Sequence, residues 1–294
     1  MTRNQRSGTE AEDDGAALLA RLAGTGSLAV AYSGGADSAL VLAAAVRALG
    51  ADRVLAVTAV SESLASTELR PARDLAASLG VVHLTPHTRE LERAGYRANG
   101  ADRCYFCKSE VLGAITALAA ERGVTNVATG TNADDALDPF RPGIRAGQER
   151  GVLTPLRGAG LTKARVRRLS RHWSLPTWDK PATPCLASRI AYGLTISGPR
   201  LARVDRAESA VRAALAAAGI AVTDLRVRDL GRGRARIEVP ADSLPAVTAV
   251  PGLPRVLAAA GFDEGAVETA AFRSGVLNPG LGPDRGWPPQ DGIL

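Results

Sequence analysis

Apolar runs of four to eight residues alternate along the first 130 positions with longer stretches whose apolar residues recur at helical spacing. Ser27-Leu28-Ala29-Val30-Ala31-Tyr32 predicts a buried strand, and Ala39 to Val46 a helix. Arg53 to Val60 reads as a second buried strand, Ser66 to Leu79 as a helix closed by Gly80, and Val81 to Leu84 as a third strand. A long helix is expected from Cys104 to Arg122, ended by Gly123, before a fourth strand at Asn126 to Thr129. Continuous rather than alternating strands, each followed by a helix, predict a parallel sheet covered on both faces.

Beyond residue 139 the pattern loosens. Three prolines and five glycines between 139 and 160 predict a mobile loop. A helix from Thr162 to Trp173 is followed by the Pro-rich run Leu175 to Cys185, too rich in proline for regular structure and expected to be a linker. Pro199 to Ala218 reads as an amphipathic helix, Asp224 to Asp229 and Arg234 to Val239 as strands around a Gly-Arg-Gly turn, and a further helix precedes Phe262. The expected organisation is a parallel α/β domain over 14–180 and a smaller C-terminal α+β domain over 181–275. Loose tails are expected at 1–13 and 276–294.

Composition narrows the class. A chain of 294 residues with 46% hydrophobic content can build a real core, yet no apolar run reaches the length of a membrane span, which predicts a cytoplasmic protein. The net charge of +6 is compatible with nucleic acid or with small phosphorylated ligands. An aromatic content of 4% and the lack of a separate RNA-binding module argue against nucleic acid. Only Lys108, Lys163 and Lys180 are lysines among 36 basic residues, an arginine bias within which the segments keeping a compact ammonium stand out.

The chemistry begins at Ser33-Gly34-Gly35-Ala36-Asp37-Ser38, between the first strand and the first core helix. A Gly-rich turn there aims backbone N–H groups and the positive helix end at one spot, which suits a phosphate. Ser33 and Ser38 add hydroxyls, and Asp37 makes sense as a partner of Mg²⁺ arriving with a nucleotide. Neither a Walker A ending nor a dinucleotide turn is present. Ligands of such sheets collect at the carboxyl ends of strands, where Ser33, Ser61 next to Val60, and Gly130 would emerge. Asp134 and Asp135 are candidates for metal or ribose, or for capping a helix.

Three cysteines, Cys104, Cys107 and Cys185, cannot all pair. Cys104 and Cys107 lie one turn apart at a helix start, where the dipole favours thiolate. With Cys185 they make the three-thiol set that holds a [4Fe-4S] cluster with one iron open. Zinc would need a fourth ligand from His83, His87 or His172, and three unliganded thiols are the remaining reading.

Ser33 to Ser38 resembles the PP-loop of ATP pyrophosphatases, which split ATP between its α- and β-phosphates to adenylate an acceptor oxygen. Adding Gly130-Thr131-Asn132-Ala133-Asp134-Asp135, Phe140-Arg141-Pro142-Gly143, the run Lys180 to Gly193 with Cys185-Leu186-Ala187-Ser188-Arg189, and Phe272-Arg273-Ser274-Gly275, the chain resembles the LarE family of ATP-dependent sulfur transferases from about residue 14 to 275. The resemblance implies a PP-loop domain that binds ATP with Mg²⁺ and acts on pyridinium-3,5-biscarboxylic acid mononucleotide, a precursor of the nickel-pincer nucleotide of lactate racemase. Catalytic roles would fall to Cys185, Asp37, Ser188 and Arg189. Substrate binding would fall to Arg189, Glu208, Arg226 and Arg228, with Lys180 offsetting charge near Cys185. The Cys-x-x-Cys resembles the subgroup thought to carry a [4Fe-4S] cluster on Cys104, Cys107 and Cys185 with a removable sulfide, rather than the subgroup that sacrifices one cysteine. An external sulfide donor and a homo-oligomer are further expectations. A PP-loop tRNA thiolase, an ammonia-using amidotransferase or synthetase, and a zinc-bearing nucleotide-binding regulator are the competing readings.

Overall fold

In the computed structural model the described residues are 3–136 and 142–272. The elements in chain order are α1 Arg3–Leu22, β1 Leu28–Ala31, α2 Ala36–Leu49, β2 Val54–Val57, α3 Leu69–Ser78, β3 Val82–Leu84, α4 Ala94–Arg97, α5 Arg103–Glu121 and β4 Asn126–Ala128. They continue with α6 Pro142–Gln148, α7 Pro155–Gly158, α8 Lys163–His172, α9 Gly198–Ala217, β5 Arg226–Gly231, β6 Arg234–Val239, α10 Leu244–Thr248, α11 Leu253–Ala259 and β7 Val267–Ala271. The protein is α/β. Two compact units divide it, one holding residues up to Arg189 with Thr195–Asp205, the other Ile190–Leu194 with Arg206 onward. The stretch around Cys185 thus belongs to the first unit.

The first unit is built on a parallel four-stranded sheet in the order β3-β2-β1-β4. Period-two alternation sorts its short strands between two cores. Leu28, Val30, Val54, Ala56 and Ala128 face a core shared with Leu18 and Leu22 of α1, Leu40 and Leu42 of α2, Leu75 of α3 and Leu169 of α8. Ala29, Val57 and Val127 face the opposite side, against Ile115 and Ala119 of α5. Helix α2 is buried along nearly its whole length, as its Ala- and Leu-rich sequence requires. Because the chain runs outward from β1 to β2 and β3 and then crosses to β4, the strand order reverses beside β1, where open sheets of this kind bind ligands.

The second unit carries a three-stranded sheet, β5-β6-β7, antiparallel between β5 and β6 and parallel between β6 and β7. The turn at Gly231-Arg232-Gly233 has positive φ at all three residues, 79°, 50° and 72°, so the two glycines supply what a β-hairpin with this twist needs. Strand β7 was not expected from the sequence.

Two other expectations are corrected. The polar start 1–13 is not loose where described: α1 begins at Arg3, Ala11 is buried, and the nearly inaccessible Asp14 accepts from Arg165 Nε and Arg168 Nη2, both at 2.9 Å. Asp14 lies just past that expected tail, and within it Glu10 pairs with Arg168 of α8 at 2.9 Å. The expected loop over 139–160 contains α6 and α7, each opening on a proline, which is favoured in a first turn because its missing N–H has no helical partner there. Phe140, Arg141, Arg273 to Gly275 and the expected tail 276–294 lie outside the described residues.

Candidate active site

The loop at the end of β1 is closed by its own serines. Ser33 N–H donates to Ser38 Oγ (3.2 Å), Gly35 N–H donates to Ser33 Oγ (3.4 Å), and Ser38 Oγ–H donates to the Gly35 carbonyl (3.1 Å). Gly34 has φ +73°, a left-handed conformation costly for any side chain, and a Cβ there would lie 3.1 Å from that of Ala72 on α3. Gly35 then caps α2 with no side-chain bond to the first helical N–H groups, leaving them directed at the loop.

Asp37, in the first turn of α2, accepts from Lys163 Nζ at 2.5 Å through Oδ2, while its other oxygen is buried and has no partner. A buried carboxylate oxygen without a donor is what a divalent cation bound with a nucleotide would satisfy, so the residues fit Mg²⁺. Gly130, just past β4, is pressed onto the same turn, since a Cβ would sit 2.7 Å from Ser38 N and 2.9 Å from the Asp37 carbonyl carbon. Val60 pairs with His87 in a parallel bridge, and Ser61 Oγ lies 3.0 Å from Ser63 Oγ. Asp134 and Asp135 are occupied locally: Asp134 accepts from Lys163 N (2.7 Å) at the start of α8, and Asp135 accepts from Asn132 N (3.1 Å).

Cys185 precedes a 3-10 turn, Leu186–Arg189, that is pinned from several sides. Leu186 N donates to the Ser63 carbonyl (2.9 Å), and Ser188 Oγ–H donates to the Cys185 carbonyl (2.7 Å). The buried Arg189 guanidinium donates to the Pro184 carbonyl and to Ser188 Oγ (3.0 Å), and the buried Arg103 donates to the Ala187 carbonyl (3.1 Å). Arg189, expected to bind a substrate phosphate, is thus placed to hold the Cys185 turn.

Cys104 is exposed and Cys107 half-buried at the start of α5. Burial pushes the Cys107 thiol well up, and the neighbouring Cys185, Glu90 and Cys104 push it the same way. Burial and these neighbours thus oppose at Cys107 the thiolate expected from the helix dipole. Three thiols suit an iron-sulfur cluster in donor chemistry, and no group of three Cys, His, Asp or Glu among the described residues stands in ligating geometry. His83 is engaged elsewhere, its Nε2 2.8 Å from Thr58 Oγ1.

In the second unit Glu208 accepts from Val227 N (3.0 Å). Arg228 pairs with Glu238 at 2.9 Å, and Arg226 pairs with Asp224 at 3.2 Å while lying 3.9 Å over the Phe272 ring. Both arginines are buried although β5 is an edge strand.

Sequence reasoning gave no site role to Lys163 or Glu68. Lys163 faces Asp37, and Glu68 binds Lys180, whose ammonium also reaches the Gly34 carbonyl. The scarcity of lysine was the available signal.

A parallel sheet with this loop at the reversal of its strand order defines a nucleotide-activating enzyme of the PP-loop class, which binds ATP with Mg²⁺. The family described as NAD synthase matches residues 20–99. An uncharacterized protein of Synechocystis is 43% identical over 215 residues, 73% of this chain and 77% of that one. The pyridinium-3,5-bisthiocarboxylic acid mononucleotide synthase of Lactiplantibacillus plantarum is 32% identical over 267 residues, 90% of this chain and 94% of its own length. The chain belongs to that synthase's family, the LarE family, and is an ATP-dependent sulfur transferase. No helix among the described residues is long and apolar enough to cross a membrane.

Proposed function

We propose that the protein adenylates a carboxylate of pyridinium-3,5-biscarboxylic acid mononucleotide and replaces its oxygen with sulfur, in the making of a nickel-pincer nucleotide such as that of lactate racemase. The observation that carries this reading is the bonding of the Cys185 segment to the phosphate loop through Lys180 Nζ and the Gly34 carbonyl (3.0 Å), which joins activation to a thiol-bearing turn. A bare carboxylate is a poor acyl donor because oxide would have to leave. Attack of its oxygen on the α-phosphorus expels pyrophosphate, and a sulfur nucleophile then forms a C–S bond as the C–O bond to AMP breaks, AMP carrying away the oxygen.

In this scheme Ser33, Gly34, Gly35 and Ser38 hold the pyrophosphate portion by N–H and O–H donation, and Asp37 holds Mg²⁺ with Lys163 beside it. Val60, Ser61 and Gly130 border the adenosine, with Asp134 and Asp135 supporting that edge. Arg189 and Ser188 fix the Cys185 turn, and Glu208, Arg226 and Arg228 serve the substrate nucleotide. Cys104, Cys107 and Cys185 would hold a [4Fe-4S] cluster, which when bound supplies an open iron able to carry a removable sulfide. The reading extends to an external sulfide donor and a homo-oligomer.

Anaerobic protein given ATP, Mg²⁺, sulfide and the dicarboxylate nucleotide tests it. Pyrophosphate, AMP and a thiocarboxylate should appear together, and sulfur entering tRNA instead would overturn it.

A further inference from the structure

Lys180 makes two bonds that the scheme above does not require of a residue merely offsetting charge near Cys185. Its ammonium donates to the Gly34 carbonyl in the phosphate loop (3.0 Å) and to Glu68 Oε2 (2.7 Å), with the two side chains only 20% and 15% exposed. Thr183 Oγ1 donates to the same Glu68 oxygen (3.2 Å). Glu68 immediately precedes α3, the helix whose Ala72 packs on Gly34, so one carboxylate gathers the phosphate loop's neighbour and two points of the Cys185 strap. Pro181 and Pro184 fix φ on either side of Thr183, leaving few free torsions between that pin and the thiol. Downstream, Leu186 N is held by the Ser63 carbonyl.

We propose that Glu68 and Lys180 are positioning residues that couple occupancy of the phosphate loop to the placement of Cys185. An ammonium has three donors, and the bonds to Gly34 and Glu68 use two. A polyphosphate seated on the loop brings negative charge beside Lys180 and an acceptor for the third donor, without breaking the other two bonds. The strap is then held tighter when the nucleotide is present, so the thiol is set in place at the stage when an adenylate can form. The proposal rests on Cys185 being the site thiol.

Hydrogen exchange of the full-length protein, with and without Mg²⁺ and α,β-methylene-ATP, tests the coupling at the amides of 185–189. In the wild type the analogue should slow exchange there by about fivefold or more, the low end of ordinary coupling between sites. Lys180→Met and Glu68→Ala should bind the analogue yet lose the slowing, Lys180→Arg should retain much of it, and Thr183→Val, which keeps the side-chain shape, should weaken it. A general loss of structure would instead raise exchange across the sheet in the absence of nucleotide, which separates the two explanations. Wild-type protein that binds the analogue with no change at 185–189, or a Lys180→Met protein that keeps the full response, would overturn the proposal. Coupling present in a protein that moves no sulfur would sink the sulfur-transfer reading and leave this one standing; sulfur transfer without coupling would do the reverse.

Discussion

Replacing Gly130 by alanine probes the close contact that shapes the proposed nucleotide site. The added Cβ would meet backbone rather than a flexible side chain, at 2.7 Å from Ser38 N, 2.9 Å from the Asp37 carbonyl carbon and 3.1 Å from Asp37 Cβ. Gly130 is not among the residues with positive φ, so alanine suits its backbone and the penalty comes from crowding alone. Restoring ordinary contact requires the β4 turn and the start of α2 to part by about 0.7 Å in an interior that does not yield easily. Overpacking of this kind costs about 1–3 kcal/mol, which in a protein of this size lowers the melting temperature by roughly 2–10 °C. The same movement displaces Asp37 and Ser38 relative to the triphosphate, and misplacement approaching 1 Å costs up to about a hundredfold in rate. Continuous measurement of pyrophosphate release at saturating ATP, below the melting range, should therefore show a loss of about tenfold to a hundredfold. Gly24→Ala, at a position with nothing within 4 Å and no positive φ, should match the wild type in both rate and melting. Wild-type rate and melting in Gly130→Ala would refute the claim that the close approach of these two backbones shapes the site.

Two further outcomes follow from the geometry. Asp37→Asn removes both the charge facing Lys163 and the orphaned carboxylate oxygen, and should lower pyrophosphate release by about a hundredfold while raising the Mg²⁺ concentration needed for half-maximal rate. His83 gives a pH signature: burial, reinforced by the Arg73 charge, holds its pKa below the usual 6.5, so as pH falls through 6.5 the unfolded chain takes up a proton before the folded one does and stability is lost, whereas above 6.5 the contribution is kept in full. Urea unfolding between pH 7 and pH 5 should show this decline in the wild type and a shallower one in His83→Gln, and equal slopes would contradict it.

Much of the first unit can be read from residues close in sequence. Ser27 to Tyr32 and the glycines behind it specify strand, turn and helix together, because the apolar run, the left-handed Gly34 and the Ala-rich α2 each favour the same local structure. Helix α1 is less legible because the partners of Asp14 lie some 150 residues downstream on α8. Helices α6 and α7 were hidden by prolines, which read as breakers yet open a first turn well. The alternation of Arg226 and Arg228 with apolar residues suits a solvated edge, and the partners that accompany their burial include Glu238 and the Phe272 ring, both supplied by later segments. The turn from Ser33 to Ser38 was legible because its glycines and serines are consecutive residues that bond to one another. The convergence of Lys163, Lys180 and Glu68 on that loop was not, because each contact joins segments more than 100 residues apart.

The central claim, that this chain replaces a carboxylate oxygen with sulfur after adenylation, is tested most directly with substrate labelled by ¹⁸O in its carboxylates. Incubated anaerobically with the protein, ATP, Mg²⁺ and sulfide, it should yield AMP carrying ¹⁸O in step with thiocarboxylate formation. Thiocarboxylate accompanied by unlabelled AMP, or labelled AMP with no sulfur in the product, would contradict the account.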